Sequence, residues 1–214
     1  MKKIRARLTF TEEVLGTSSN NPEIHAEYIA SKAKDRKLSG DSSIDPANDP
    51  DALILEEMES LTITEEVEKG MTVFPRAENG QPFLWDYQIK GFLKDAAQML
   101  KKVPGTHCSG VKAFKKEIDG LLFTAPRKIM LELPPMEEIG RCQRPLRAQT
   151  PMGERIALAD SETVPAGSTC VVEFVCLTDS MEKLVRECLD YGCLRGIGQW
   201  RNSGKGRFDW EEIG

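Results

Sequence analysis

Between Gly196 and Phe208 the chain reads Gly-Ile-Gly-Gln-Trp-Arg-Asn-Ser-Gly-Lys-Gly-Arg-Phe, four glycines and three cations around one tryptophan. Glycine at this density is costly in chain entropy, so it marks a backbone that takes positive φ or admits a second backbone at close range. A loop rich in backbone N–H donors, with Arg201, Lys205 and Arg207 beside Trp200, suits a phosphate chain carrying a stackable base. A long turn between a helix and a final strand is the alternative. The segment does not fit a nucleotide-triphosphate P-loop, which follows a strand, spaces its glycines more closely and puts Ser or Thr after its Lys. Here Gly198 and Gly204 enclose five residues, Gly206 follows Lys205, and the preceding segment reads as a helix.

The pattern leading up to this loop is that of an α+β chain. Ile4, Ala6, Leu8 and Phe10 alternate with Lys3, Arg5, Arg7 and Thr9, the period of a strand with one buried and one basic face. From Asp86 to Lys101, Ile89, Phe92, Leu93, Ala96 and Leu100 fall at helical spacing, with Lys90, Lys94 and Lys101 on another flank. Such a lysine flank is either a solvated face or a binding one. Leu121 to Ala125 and Lys128 to Leu133 are short and β-prone, and a longer β region runs from Pro145 to Leu177 with turns near 152 and 166. Asp179 is placed to cap a helix with Glu182 three residues on; Met181, Leu184, Val185, Cys188 and Leu189 form its apolar face, and Gly192 is its expected terminator. Arg207 to Ile213 supplies a last strand. The order predicts a ferredoxin-like (RRM-like) βαββαβ core, with two helices on one face of an antiparallel sheet and the glycine-rich loop near its C-terminal end.

Charge divides the chain further. The net charge is −5, yet residues 85–208 hold 19 Lys/Arg against 15 Asp/Glu, while residues 1–84 hold 10 against 16. Eleven carboxylates lie between Asp35 and Glu68, opposed only by Arg36 and Lys37. Residues 39–51 combine turn formers and prolines with a single Ile, and Pro22 to Lys34 and Asp51 to Glu59 read as short polar helices. Residues 17–72 are therefore expected to be an acidic, partly flexible insertion after the first strand, set into a core of residues 1–16 and 73–214.

The 214 residues, 40% of them hydrophobic and 29% charged, have the composition of a globular chain. No apolar run reaches the length of a membrane span, and the N-terminus alternates instead of opening a signal peptide, so no membrane partner and a cytoplasmic location are expected. The six cysteines, at 108, 142, 170, 176, 188 and 193, contain no CxxC pair and no accompanying His cluster. Reduced, mostly buried thiols are expected, with no metal and no cofactor.

The glycine segment, with two other stretches, resembles the RAMP superfamily of CRISPR-associated proteins, in particular the backbone subunits of type III effector complexes. Gly-Ile-Gly-Gln-Trp-Arg-Asn-Ser-Gly-Lys-Gly-Arg-Phe is similar to the C-terminal glycine-rich loop of that superfamily. Asp86-Tyr-Gln-Ile-Lys-Gly-Phe-Leu-Lys94 resembles its helix start, and Arg144 to Phe174, including Glu162-Thr-Val-Pro-Ala-Gly-Ser168, resembles its Glu-x-Val-Pro-Ala-Gly-Thr hairpin. The resemblance covers residues 1–16 weakly and 80–213 more fully. It departs where Leu84-Trp-Asp-Tyr-Gln88 replaces the family's Pro-Gly-Ser-Ser, and where the acidic insertion replaces the variable thumb or lid.

The resemblance implies binding of single-stranded RNA or DNA without sequence readout; no catalysis is expected, because neither histidine has an evident partner in the sequence and nothing distinguishes Asp35 or Asp41 from their acidic neighbours. It brings Gln88, Lys90, Lys94, Gly196, Gly198, Trp200, Arg201, Asn202, Ser203, Gly204, Lys205 and Arg207 near the strand, with Trp200 stacking on a base or plugging the loop to the core. Arg144 and Arg147, with Arg141 and Arg155, form a second basic cluster, either for nucleic acid or for ion pairs on a sheet. Partners implied are a single strand, further copies of the chain along it, and a CRISPR effector or other protein at the acidic insertion. A protein-directed mimic of a CRISPR subunit, as an anti-CRISPR or a mobile-element relative, is the first alternative. A metal-independent endoribonuclease is the second, with His25, His107, Asp35 and Asp41 as its candidates and helix-capping or surface roles as their other reading.

Overall fold

A computed structural model describes residues 1–19, 71–150 and 153–214, with the backbone alone for residues 19, 146–150 and 153–158. The chain is α+β with several antiparallel sheets.

β1 (Lys2–Phe10) is the spine of the first sheet because its alternation is uninterrupted. Ile4, Ala6, Leu8 and Phe10 are buried, and Lys3, Arg5, Arg7 and Thr9 are exposed. On one side it pairs antiparallel with β10 (Thr169–Cys176), from Lys2 opposite Cys176 to Thr9 opposite Thr169. On the other it pairs with β11 (Phe208–Glu212), and β6 (Leu122–Ala125) completes the order β11-β1-β10-β6. A one-residue slip would carry every buried side chain to the wrong face, so the pattern fixes the register.

Two helices supply the other half of this core. α1 (Asp86–Leu100) buries Ile89, Phe92, Leu93, Ala96 and Ala97. Its start is fastened by Gln88, whose Oε1 accepts the Trp85 N–H at 2.8 Å. Between α1 and β6 lie α2 (His107–Gly110) and α3 (Phe114–Leu121). The later helix, α4 (Asp179–Asp190), buries the five apolar residues expected of it. These side chains join the sheet's buried face in one cluster, and each large one contributes about 1.5–3 kcal/mol by leaving water.

Both ends of α4 differ from the sequence expectation. Thr178, not Asp179, is the N-cap, its side chain accepting the Met181 N–H at 3.2 Å. Asp179 then sits in the first turn, where it meets Lys2 at 3.4 Å and suits the positive helix end. Gly192 does not terminate the helix either; it opens the short α5 (Gly192–Arg195). A Cβ there would lie 2.2 Å from Cζ of Phe208, so Gly192 is needed for the close approach of that ring.

A second sheet is built around one long hairpin. β8 (Gly140–Thr150) and β9 (Gly153–Val164) pair from Gly140 opposite Thr163 to Thr150 opposite Gly153. The other edge of β9 takes β2 (Val14–Leu15) antiparallel and β4 (Met71–Val73) parallel. β3 (Ser18–Ser19) then pairs with β4, so the chain leaves at Ser19 and returns beside it at Thr72. Glu162 ties this corner together: its carboxylate accepts the Phe74 N–H at 2.8 Å and Arg76 at 2.7 Å, and its carbonyl accepts the Gly16 N–H at 2.9 Å. β5 (Phe83–Trp85) and β7 (Lys128–Met130) form a separate antiparallel pair below the start of α1. The expected helices within residues 22–34 and 51–59 lie outside the described residues.

Candidate nucleic-acid interface

The loop after α5 holds its shape through glycines at its two necks. Gly196 (φ 72°) ends α5, and Gly206 (φ 70°) faces it across the loop base. Ile197 donates its N–H to the Gly206 carbonyl at 2.9 Å, and the Gly206 N–H reaches the carbonyl of Glu13 at 2.9 Å. A Cβ at Gly206 would lie 1.9 Å from the Ile197 oxygen, and one at Gly196 2.5 Å from the Lys205 oxygen. No side chain fits either position.

Beyond the neck the backbone is less occupied. The N–H groups of Ser203 and Gly204 close a 3-10 turn onto Trp200 and Arg201, but those of Gly198, Gln199, Trp200, Arg201 and Asn202 have no hydrogen-bond partner among the described residues. Trp200 sits in the left-handed region at φ 55°, an outlier for a bulky residue. The residue is 40% exposed.

Arg144 of β8 supports that ring from beneath. It is buried, and its guanidinium donates to Ser161 Oγ at 3.1 Å and to Gln199 Oε1 at 2.9 Å. Its central carbon lies 5.1 Å from the Trp200 ring centroid, close enough for a cation–π contact. Gln199 in turn donates to the Gly16 carbonyl at 2.8 Å. A buried cation, one amide and the hairpin thus hold Trp200 facing outward.

Two of the loop's three cations are committed within the molecule. Arg201 meets Asp95 of α1 at 2.7 Å, and Arg195 meets the same carboxylate at 2.8 Å while donating to Asn202 Oδ1 at 2.9 Å. Partial burial opposes the Asp95 charge, but the two guanidiniums outweigh it and hold its carboxyl below the ordinary value. Lys205 pairs with Glu13, whose hydrogen bond holds the ammonium above its usual pKa. Arg207 is exposed and has no ion-pair partner among the described residues. These pairings anchor the loop to α1 and to the segment after β1. They leave Trp200, Ser203 and Arg207 as its exposed side chains, beside the amides that have no partner among the described residues.

The remaining expected residues are scattered. Gln88 is engaged at the helix start and with Thr17 Oγ1, Lys94 pairs with Asp119 at 2.6 Å, and Lys90 lies 5.3 Å over the Phe123 ring. Arg141 is bound to Asp160, with Nε at 2.6 Å from Oδ2, as an ion-paired sheet face requires. Arg147 and Arg155 lie on the outer part of the hairpin, opposite Ile156 and Ala148. His107 starts α2: its N–H and that of Cys108 are accepted by the Glu187 carboxylate, and its Nε2 is 2.9 Å from Ser180 Oγ. His25, Asp35 and Asp41 lie outside the described residues. Asp95, Arg195, Gln199 and Glu13 had no sequence signal, because their partners are distant in the chain.

No protein-family model matches this sequence, and no curated protein matches it. Among solved structures, the fold is similar to a chain in the cryo-EM structure of the Type III-B Cmr-beta complex bound to cognate target RNA, with a TM-score of 0.51 at 11% sequence identity. That match covers 99% of this chain and 61% of the other, so the present chain spans less than two thirds of its neighbour's length. A chain of a Type IV-B CRISPR complex gives a TM-score of 0.46 at 10% identity, covering 99% of this chain and 90% of that one. At this identity, what the chain shares with the Type III-B subunit is its fold.

Proposed function

We propose that this protein is a RAMP-like subunit that binds single-stranded nucleic acid, without reading its sequence, along the loop from Gly196 to Phe208. The strand order β11-β1-β10-β6, with α1 and α4 between strands on one buried face, supports a ferredoxin-like βαββαβ core. The observation that carries the binding assignment is the run of five N–H groups, Gly198 to Asn202, that have no hydrogen-bond partner among the described residues, around an outward tryptophan backed by Arg144. Consecutive amides form a concavity for phosphate oxygens, and an aromatic face accepts any base. The Type III-B complex that contains the similar chain is described as bound to target RNA, which fits this reading of a shared fold.

The loop cations contribute less to this site than their number suggests. With Arg201 and Lys205 already paired, affinity rests on the amides, the stack, Arg207 and more distant lysines, so its salt dependence is moderate near the loop. Fluorescence anisotropy with labelled single-stranded RNA, single-stranded DNA and duplex across a salt series tests this. The reading predicts single-strand affinity that falls with salt and exceeds duplex affinity. Absence of binding at every ionic strength contradicts it.

A further inference from the structure

We propose that the lysine-rich end of the helical layer, residues 101–116, is a second electrostatic surface for the sugar-phosphate backbone of a strand running on from the glycine loop; this rests on the nucleic-acid reading above. Residues 101–116 contain five lysines and no carboxylate. Lys102, Lys112, Lys115 and Lys116 are exposed, and none has an ion-pair partner among the described residues. The nearest acids down the chain are Glu117, half-buried, and Asp119, already paired with Lys94 at 2.6 Å.

Elsewhere the fold compensates many of its cations. Lys2 meets Glu182, Lys3 meets Glu173, Arg7 meets Glu211 and Arg186 meets Glu212. Against that background, a lysine group with no ion-pair partner among the described residues repels itself and offers a surface for a polyanion.

Local structure gathers these lysines. Lys101 donates from Nζ to the Lys112 carbonyl at 3.1 Å and lies 5.6 Å from the Phe114 ring centroid, which joins the end of α1 to the start of α3. The helical path continues past Leu100, since Lys101 and Lys102 donate their N–H groups to Ala97 and Met99 at 2.9 and 3.0 Å. Lys102 follows Asp95, the anchor of Arg201, by seven residues, two helical turns or about 10 Å along the same stripe. The surface therefore begins close to the loop.

The residue types select the partner. Protein interfaces are depleted in lysine and centred on apolar anchors, whereas Val103 is the only large apolar side chain exposed in residues 101–116. Lysine ammoniums act as point charges that neutralise phosphates without demanding a fixed geometry or reading bases.

The test compares labelled single-stranded RNA of about 6 and about 20 nucleotides on the wild type, the triple variant Lys102→Glu/Lys115→Glu/Lys116→Glu, Lys183→Glu and Trp200→Ala. The triple variant should weaken the long oligonucleotide about tenfold or more at low salt, and lower the slope of log affinity against log salt by about 2, at roughly 0.7 per lost phosphate contact. Its affinity for the short oligonucleotide should stay at the wild-type level, and Lys183→Glu, an exposed charge on α4, should behave as wild type on both. Wild-type binding of the long strand by the triple variant, while Trp200→Ala weakens both lengths, overturns the lysine surface and leaves the loop reading standing. No binding of either length by the wild type overturns both. Equal competition by poly-glutamate assigns the surface to an acidic protein partner and also overturns it.

Discussion

The guanidinium of Arg144 lies 5.1 Å from the ring centroid of Trp200 and at the same time hydrogen-bonds Gln199 at 2.9 Å, so one buried cation fixes two consecutive residues of the glycine loop. Its bond to Ser161 at 3.1 Å fixes the cation itself. The orientation of the exposed tryptophan is therefore set from the long hairpin, more than 50 residues upstream.

Arg144→Ala should destabilise the fold by about 2 kcal/mol, because it leaves the Gln199 Oε1 without its donor, takes one of two partners from the Ser161 hydroxyl, which keeps Thr72 at 2.7 Å, and removes a partly desolvated cation–π contact. Arg144→Lys should recover only part of this, since an ammonium cannot span both oxygens and lie flat beneath a ring. Urea midpoints of the three proteins measure it. Equal midpoints for wild type and Arg144→Ala would remove the arginine from the loop's support.

Gly206→Ala and Gly80→Ala separate space from backbone conformation. Both glycines have positive φ, 70° and 80°, but only Gly206 has an oxygen at 1.9 Å from the added Cβ, while Gly80 has nothing within 4 Å. Gly80→Ala should cost about 1 kcal/mol, the left-handed penalty alone. Gly206→Ala should cost about 3 kcal/mol or more by thermal unfolding, since the neck has to open.

How far the fold is legible in sequence follows from where its information lies. The buried face of β1, the apolar stripe of α1 and that of α4 are local periodicities, and each forms where its pattern places it. The end of α4 shows the limit. Thr178 and Asp179 are adjacent and both suited to capping, and only the packing of Phe208 over Gly192 explains that glycine. The candidate site is less legible still. Arg201 and Lys205 present themselves as free cations until Asp95 and Glu13, 106 and 192 residues away, are brought against them. No spacing rule anticipates pairs of that separation.

Acid should weaken the fold through the paired carboxylates. Asp95 and Asp160 are held below their ordinary 3.8, so each adds stability that is complete above that value and is lost as pH falls through the lower folded-state pKa. For Asp95, burial opposes the shift and Arg195 and Arg201 overcome it; for Asp160 the Arg141 hydrogen bond dominates. Asp95→Asn should therefore lower stability at neutral pH and show a shallower loss below about pH 4. Thermal melts of both proteins from neutral pH downward check the sign. A steeper acid loss in the variant would contradict it.

Replacing residues 20–70 by Gly-Ser-Gly should leave a cooperatively folding core. Ser18 pairs with Val73 and Ser19 with Thr72, so the strand ends already stand at hairpin distance, and a loop of about four residues can join them. Circular dichroism melts measure this. A non-cooperative transition would show that the acidic segment belongs to the core.

The most direct measurement is the emission of Trp200 itself. Trp85 is fully buried, so a Trp210→Phe background leaves Trp200 as the accessible fluorophore. Titration with single-stranded RNA should quench this emission saturably, and replacing Trp200 by alanine should weaken binding by about 1–3 kcal/mol. Saturated binding by anisotropy with unchanged Trp200 emission would show that the strand does not stack on this loop, and would contradict the account.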